Sequence, residues 1–188
     1  MKVLIEVSAR HIHLSQKDLE SLFGQDYILN KAKDLSQPGE FAAEETLTLV
    51  GPKRTMENVR IIGPIREKTQ VELSITDCFF LGIKPVIKIS GDLEGTEGIK
   101  VIGPKGEVVL DKGVIVPQRH LHIQTGEAEK NGLKTGDIIK VKVESNRSLV
   151  FDNVVVRAKD NYETALHLDT DEGNAAGVEG IAEGEAIE

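Results

Sequence analysis

VPQRHLHI (116–123) and VSARHIHL (7–14) share Val, Arg, both histidines and the aliphatic residues around them. The two segments contain four of the 5 histidines in this 188-residue chain. In a β-strand, residues two apart point to the same face and lie roughly 7 Å from each other. Two imidazoles at this spacing can reach one metal ion. Each segment therefore predicts a strand that presents a pair of ligands on one face.

The likeness between the two halves continues beyond the histidines. MENVRII (56–62) and FDNVVVR (151–157) share Asn-Val followed by an aliphatic strand pattern. Counting 14 residues on from each Asn leads to a potential ligand in both halves, since 58 + 14 = 72 and 153 + 14 = 167. The sequence thus predicts two related modules with one ligand group each. The groups are His11, His13 and Glu72 in the first module and His120, His122 and His167 in the second.

Three ligands per ion leave coordination positions open, as in catalytic zinc sites, whereas structural zinc prefers a closed set of four. Imidazole-rich groups suit Zn²⁺, with Co²⁺, Ni²⁺ or Fe²⁺ as substitutes. We therefore expect two Zn²⁺ ions as cofactors. The competing interpretation is that these are core or cap histidines whose ring nitrogens are satisfied by carbonyl groups.

Composition disfavours several functional classes. The formal net charge of -8 and the pI near 5.2 disfavour binding to nucleic acid or to an anionic membrane. No apolar run approaches the roughly 20 residues of a membrane span, and MKVLIEVSAR lacks the apolar core of a signal peptide. We expect a cytoplasmic protein in which the single cysteine, Cys78, is a buried apolar residue.

The pattern of β-branched residues predicts a mainly β fold. The predicted strands are 3–7, 45–50, 59–62, 70–75, 99–102, 107–110, 137–144 and 149–158. One short helix follows each H-x-H pair, the first between an N-cap at Ser15 and a stop at Gly24, the second between Thr125 and Gly132. The acidic, Gly-rich tail 177–188 is expected to be frayed.

Four blocks together resemble a known family. VSARHIHLS, GPIREKTQVELS, GVIVPQRHLHI and ALHLDTDEGNAAG are similar, in this order, to the metal-dependent PduL-type phosphotransacylases, also called phosphate propanoyltransferases. The resemblance runs through nearly the whole chain. It implies interconversion of a short-chain acyl-CoA, such as acetyl-CoA or propanoyl-CoA, and inorganic phosphate with an acyl phosphate and CoA. It also implies that each ligand group derived above binds one zinc ion.

The resemblance further implies two related small β-barrels with short capping helices and the metal site between them. Residues 10–117 would form one barrel, and residues 1–9 plus 118–188 the other, so that the N-terminal strand joins the C-terminal half. Arg66 would hold phosphate, whereas without the resemblance it would be interpreted as a surface or barrel-end ion pair. The family allows a homodimer, for which the sequence offers no interface pattern. Members inside microcompartments carry an extra N-terminal segment that is not evident here, which favours a free cytoplasmic enzyme.

Further candidates rest on weaker patterns. CoA carries phosphates that call for basic residues, and the candidate clusters are Lys31, Lys33, Lys53 and Arg54. Arg10 and Arg119 precede the H-x-H pairs as structural or ligand-supporting residues. Asp169, Asp171 and Glu172 can orient imidazoles or simply form an acidic turn.

Two other functions remain open. A dinuclear zinc hydrolase would attack a thioester or ester with metal-bound hydroxide instead of phosphate. A non-catalytic metal-binding module would instead hold metal with closed coordination and no turnover.

Overall fold

The computed structural model describes residues 1–178 and 181–187, and it confirms a mainly β protein with a few short helices. The strands are β1 (Lys2–Ser8), β2 (His11–His13), β3 (Lys31–Asp34), β4 (Phe41–Val50), β5 (Thr55–Gly63), β6 (Gln70–Glu72), β7 (Ile87–Lys88), β8 (Glu97–Ile102), β9 (Glu107–Pro117), β10 (His120–Ile123), β11 (Ile138–Val143), β12 (Leu149–Ala158), β13 (Ala165–Asp169) and β14 (Ile181–Ile187). The helices are α1 (Gln16–Phe23), α2 (Ile75–Leu81), α3 (Thr125–Lys130) and α4 (Thr170–Ala175).

Two compact units divide the chain. Arg10–Pro117 forms the central unit, and Met1–Ala9 together with the described residues from Gln118 onward forms the terminal unit. Each unit has its own buried aliphatic cluster, around Leu47 and Ile61 in the central unit and around Ile5 and Leu121 in the terminal unit. Each therefore has a core of its own to stabilise it.

Each unit contains a closed barrel, as predicted. In the terminal unit the order is β1-β13-β10-β12-β11-β14, closed by the pairing of β14 with β1. In the central unit the order is β4-β5-β2-β6-β9-β8, closed by the pairing of β8 with β4, while β3 and β7 flank the barrel. Parallel and antiparallel pairs follow each other in the same order in both barrels, when β2 is matched to β10 and β9 to β1.

A shared backbone irregularity supports the match between the halves. Asn58 in β5 and Asn153 in β12 both adopt a positive φ, at 59° and 55°. In each unit the register of the adjoining ladder shifts by one residue at this point, between Leu47 and Leu49 or between Ile139 and Val141. Asn tolerates the left-handed conformation better than most residues, and such bulges re-aim the strand that follows. The asparagines that aligned the two halves are therefore equivalent structural positions.

Local sequence signals explain the helix boundaries. The side chain of Ser15 caps α1 and Gly24 ends it, which confirms that prediction. The second predicted cap was wrong by one residue, because Gln124 caps α3 and Thr125 is already helical.

The strand predicted for 70–75 was too long. It stops at Glu72, because Ser74 and Asp77 form a capping box that starts α2. A second capping box, Asp169 with Glu172, starts α4 at the equivalent point after β13. Neither of these helices was predicted.

The expectation of a frayed tail was also wrong, with Glu179, Gly180 and Glu188 lying outside the described residues. Residues 181–187 form β14, which pairs with both β1 and β11. Ala182 and Ala186 pack on the barrel core, and Glu183 faces solvent. This alternation of small apolar and acidic residues is the period of a half-buried strand.

Cys78 is buried in α2, as predicted. No helix in the described ranges is long and apolar enough to cross a membrane.

Candidate active site

The first ligand group lies in the central unit, where β2 pairs with β6. Antiparallel pairing places His11 opposite Glu72, and the strand period turns His13 to the same face. The Nε2 atoms of the two histidines are 3.2 Å apart, and the carboxylate of Glu72 lies 3.5 Å from His11 Nε2 and 3.8 Å from His13 Nε2. One ligand atom from each residue falls within 4.8 Å of the others, so this buried group could bind a metal ion.

The surroundings of His13 fix the orientation and the protonation state that a metal-binding imidazole needs. Its Nδ1 lies 3.0 Å from the carbonyl oxygen of Ile62, to which it donates, and Nε2 is thereby left as the electron-pair donor. Burial, then the neighbouring charges of His11 and Arg66, lowers the pKa of His13 to about 3. The ring is therefore neutral at pH 7, as a metal ligand must be.

The carboxylate of Glu72 is held by polar side chains that sequence analysis did not single out. Ser90 Oγ donates to Glu72 Oε1 at 3.1 Å, and the side-chain amide of Gln70 donates to the same oxygen. Gln70 also donates to Ser90 Oγ at 2.8 Å. These bonds orient Glu72 toward the two imidazoles.

Arg66 is connected to the same network. Its NH1 donates to Ser90 Oγ at 3.2 Å and its NH2 donates to Glu40 Oε1 at 3.3 Å. The guanidinium is half-buried, and its charge is one of the causes that lower the pKa of His13. Ser90 therefore lies between the basic side chain and the carboxylate of the first ligand group.

The second ligand group lies in the terminal unit, where β10 pairs with β13. His120 is opposite His167, as His11 is opposite Glu72. The ring centroids of His122 lie 4.6 Å from those of His120 and of His167, and the His120 and His167 rings are 5.2 Å apart. The Nδ1 of His120 donates to the carbonyl oxygen of Gln118 at 2.9 Å, which leaves Nε2 as the donor of an electron pair.

His122 is the least satisfied member of this group. Its side chain is buried, and neither ring nitrogen has a hydrogen-bond partner among the described residues. Burial, followed by the charges of His120 and His167, lowers the pKa of His122 to about 2, so the ring is neutral at pH 7. Buried polar atoms are normally paired. A buried imidazole without a hydrogen-bond partner among the described residues, beside two other imidazoles, is a candidate metal ligand.

Comparison with known proteins places this chain in a family. Residues 4–179 match the family model described as phosphate propanoyltransferase. The chain belongs to the phosphate propanoyltransferase family. It is 53% identical over 175 residues to the phosphate propanoyltransferase of Thermotoga maritima, across 93% of this chain and 83% of that protein. It is 50% identical over 173 residues to that of Clostridioides difficile, across 92% of this chain and 83% of the relative.

The predicted resemblance is thus confirmed, and this phosphate propanoyltransferase family member is an acyltransferase. A third relative, the phosphate propanoyltransferase of Sebaldella termitidis, is 49% identical over 177 residues, across 94% of this chain and 83% of that protein.

The predicted CoA-binding residues of this family member form two separate clusters. Lys31 and Lys33 lie on β3, which pairs with the first residues of β4. Lys53 and Arg54 lie in the turn after β4. There the guanidinium carbon of Arg54 lies 5.0 Å from the centre of the Phe80 ring. About seven residues of strand separate the two clusters, or roughly 20 Å. The structure therefore does not bring these four residues together.

The arginines that precede the H-x-H pairs have equivalent partners. Arg10 binds Asp77 through Nε and NH2, both at 3.0 Å. Arg119 Nε binds Glu172 Oε1 at 2.6 Å. Both carboxylates belong to the capping boxes that start α2 and α4. Glu172 thus binds an arginine, and Asp169 caps α4.

Proposed function

We propose that this chain is a phosphotransacylase that converts acetyl-CoA or propanoyl-CoA and inorganic phosphate to the acyl phosphate and CoA, and catalyses the reverse reaction. The proposal places one Zn²⁺ at His11, His13 and Glu72 and a second at His120, His122 and His167. The observation that carries it is the link from Arg66 through Ser90 to Glu72, because it joins the basic side chain proposed to bind phosphate to a buried group that could hold a metal ion.

The proposed reaction has a simple atom balance. A phosphate oxygen forms a bond to the thioester carbonyl carbon, the C–S bond breaks, and CoA leaves as a thiolate that takes a proton from solvent. A large fraction of inorganic phosphate is the dianion at neutral pH because its second pKa lies near neutrality, so no general base has to activate it. The CoA thiol has a pKa of about 8.5, so its thiolate is an acceptable leaving group.

The remaining difficulty is the negative charge of the phosphate dianion and of the oxyanion that develops as it attacks the thioester. Arg66 can bind two phosphate oxygens through its planar guanidinium and so hold the dianion near the first ligand group. Ser90 and Glu40 fix that guanidinium through NH1 and NH2. A bound divalent metal would supply positive charge to the developing oxyanion. The side chains that hold Glu72 keep the ligand group in place while phosphate enters.

The first test measures free-thiol release from acetyl-CoA and propanoyl-CoA by the zinc-loaded protein, with and without phosphate, together with acyl phosphate formation. We expect release that requires phosphate and an equal yield of acyl phosphate. Arg66→Ala should reduce kcat/KM for phosphate by about 100-fold or more, because a fixed charged donor is lost. Arg147→Ala, which changes an exposed arginine of the terminal unit, is the matched control.

The competing functions predict different results. A zinc hydrolase would release thiol at the same rate without phosphate, and Arg66→Ala would leave that release nearly intact. A binding module would take up zinc without turnover of either thioester. Either result would reject the proposed phosphotransacylase.

A further inference from the structure

His13 and His122 occupy equivalent positions but are held differently. Each is the second histidine of its pair, opposite Gln70 in the central unit and Ala165 in the terminal unit. His13 is anchored by its bond to the backbone carbonyl of Ile62. His122 forms no such bond within the described chain, although the equivalent strand runs beside it.

His122 is contacted by an aromatic ring where His13 has its backbone hydrogen bond. Tyr162 stacks on His122 with ring centroids 4.1 Å apart and an interplanar angle of 25°. Among the ring contacts of His122, this is the closest to parallel and the shortest, since His120 and His167 meet it at 60° and 59°. The face of the His122 ring therefore lies against Tyr162.

The backbone fixes Tyr162 in this place. The amide of Tyr162 donates to the carbonyl oxygen of Lys159 at 3.1 Å, which closes a turn after β12. The amide of Lys159 donates in turn to the carbonyl oxygen of Ile123, the residue after His122, at 3.1 Å. Lys159 Nζ also lies 5.7 Å from the centre of the Tyr162 ring. The turn is thus fastened to the same strand that carries His122.

We propose that Tyr162 is the positioning residue for His122, and that the metal held by His120, His122 and His167 is the more readily released of the two. The inference rests on the proposed function, because it assumes that both groups bind metal. A hydrogen bond to the second ring nitrogen fixes the direction of a ligand's electron pair, and its loss typically weakens metal binding by about 10–100-fold. A stacked ring restrains the tilt of the imidazole plane but supplies no hydrogen bond to fix the direction of the electron pair within that plane.

Single-site variants separate the two groups. His13→Ala removes a ligand of the central group and leaves the terminal group complete, whereas His122→Ala does the reverse. Each variant is loaded with Zn²⁺, and release to a chromogenic chelator is followed with and without Tyr162→Ala. We expect Tyr162→Ala to accelerate release about tenfold in the His13→Ala background and to leave release in the His122→Ala background unchanged.

Two further variants test the role of the ring. Tyr162→Phe retains the stacked face and should release zinc at the parent rate. Tyr162→Leu fills much of the space without an aromatic face, and it should give faster release even if Tyr162→Ala fails to fold. The protein with both groups intact should release zinc in two phases, of which only the faster responds to Tyr162→Leu.

The outcomes distinguish failure of this inference from failure of the proposed function. If neither single-site variant retains zinc, the two-metal proposal itself is rejected. If both retain zinc but the Tyr162 variants leave the His13→Ala background unchanged, or accelerate both backgrounds equally, Tyr162 has no positioning role. Faster zinc release from the central group, measured in His122→Ala, than from the terminal group, measured in His13→Ala, would also overturn the inference.

Discussion

Ser90 links the first ligand group to Arg66, the predicted phosphate-binding residue, by hydrogen bonds. Its hydroxyl donates to Glu72 and accepts hydrogen bonds from both Arg66 and Gln70. One oxygen atom thereby satisfies a carboxylate, a guanidinium and an amide in a partly buried position. Such shared contacts to charged groups contribute more than neutral hydrogen bonds do, typically about 1.5–3 kcal/mol each.

Replacement of Ser90 should therefore affect phosphate more than acyl-CoA. We expect Ser90→Ala to raise KM for phosphate about tenfold, since about 1.4 kcal/mol of positioning energy at Arg66 corresponds to that factor. KM for acyl-CoA should stay within about twofold. Initial rates measured against each substrate at saturating levels of the other provide the test. Ser21→Ala, which alters an exposed serine whose hydroxyl donates to the Lys17 carbonyl oxygen of α1, is the control. Equal changes in both KM values would show that Ser90 supports the fold and not Arg66.

At the scale of elements, the same ion pair appears in both halves of the chain. Arg10 and Arg119 stand just before β2 and β10, and their carboxylate partners stand in the first turns of α2 and α4. Each pair thus fastens the start of an H-x-H strand to the helix that follows the third ligand. We therefore expect these ion pairs to hold the H-x-H strand and the third ligand of each group in their relative positions by stabilising the fold around them.

Removal of one partner should leave a buried charge without compensation. The side chain of Asp77 is only 7% exposed, whereas that of Arg10 is 46% exposed. A fully buried pair would lose about 3–5 kcal/mol, and solvent around Arg10 reduces this value. We expect Arg10→Ala to lower the free energy of unfolding in urea by about 1–2 kcal/mol.

Two variants check that interpretation. Adding Asp77→Asn to Arg10→Ala should restore part of the stability, because the uncompensated charge is then gone while the amide oxygen can still accept from the Ser74 backbone N–H. Lys2→Ala, which breaks a pair whose side chains are 87% and 74% exposed, should have no measurable effect. A double variant less stable than the sum of its single changes would argue against the buried-charge explanation.

The long strands could be predicted from the sequence, whereas two of the short helices could not. The long strands carry clear β-branched patterns, and the asparagine of each bulge gave the offset that led to Glu72 and His167. Helices α2 and α4, with 7 and 6 residues, are too short to show helical periodicity, so only their flanking residues could have signalled them, as Thr125 and Gly132 did for the equally short α3. Their capping boxes were present in the sequence, but QVELSI also satisfied the pattern of one continuous strand.

The partners of the ligand groups could not be predicted in the same way. Ser90 lies 18 residues from Glu72, and Glu40 lies 26 residues from Arg66. Tyr162 reaches His122 only because a turn after β12 is bonded to β10. These contacts depend on sheet register and turn geometry, for which no local residue pattern provides a signal.

At the scale of the whole molecule, the two barrels exchange their leading strands. β1 pairs inside the terminal unit, yet the chain passes directly from it to β2 of the central unit. In the same way, β9 pairs inside the central unit and leads directly to β10 of the terminal unit. The terminal barrel is therefore assembled from the two ends of the chain, and it closes where β1 meets β14.

This closure predicts that β14 is needed to hold the terminal barrel together. A chain that ends at residue 178 lacks β14, which leaves β1 and β11 as unpaired edges and uncovers the core around Ile5. We expect it to lose the cooperative thermal unfolding of the terminal unit, measured by circular dichroism, and to aggregate. A chain that ends at residue 187 keeps β14 and should unfold like the 188-residue chain. If the shorter chain instead remains monomeric and unfolds within a few degrees of the longer one, β14 does not hold the barrel closed. Because His120, His122 and His167 all lie on strands of this barrel, the shorter chain should also lose zinc from the terminal group.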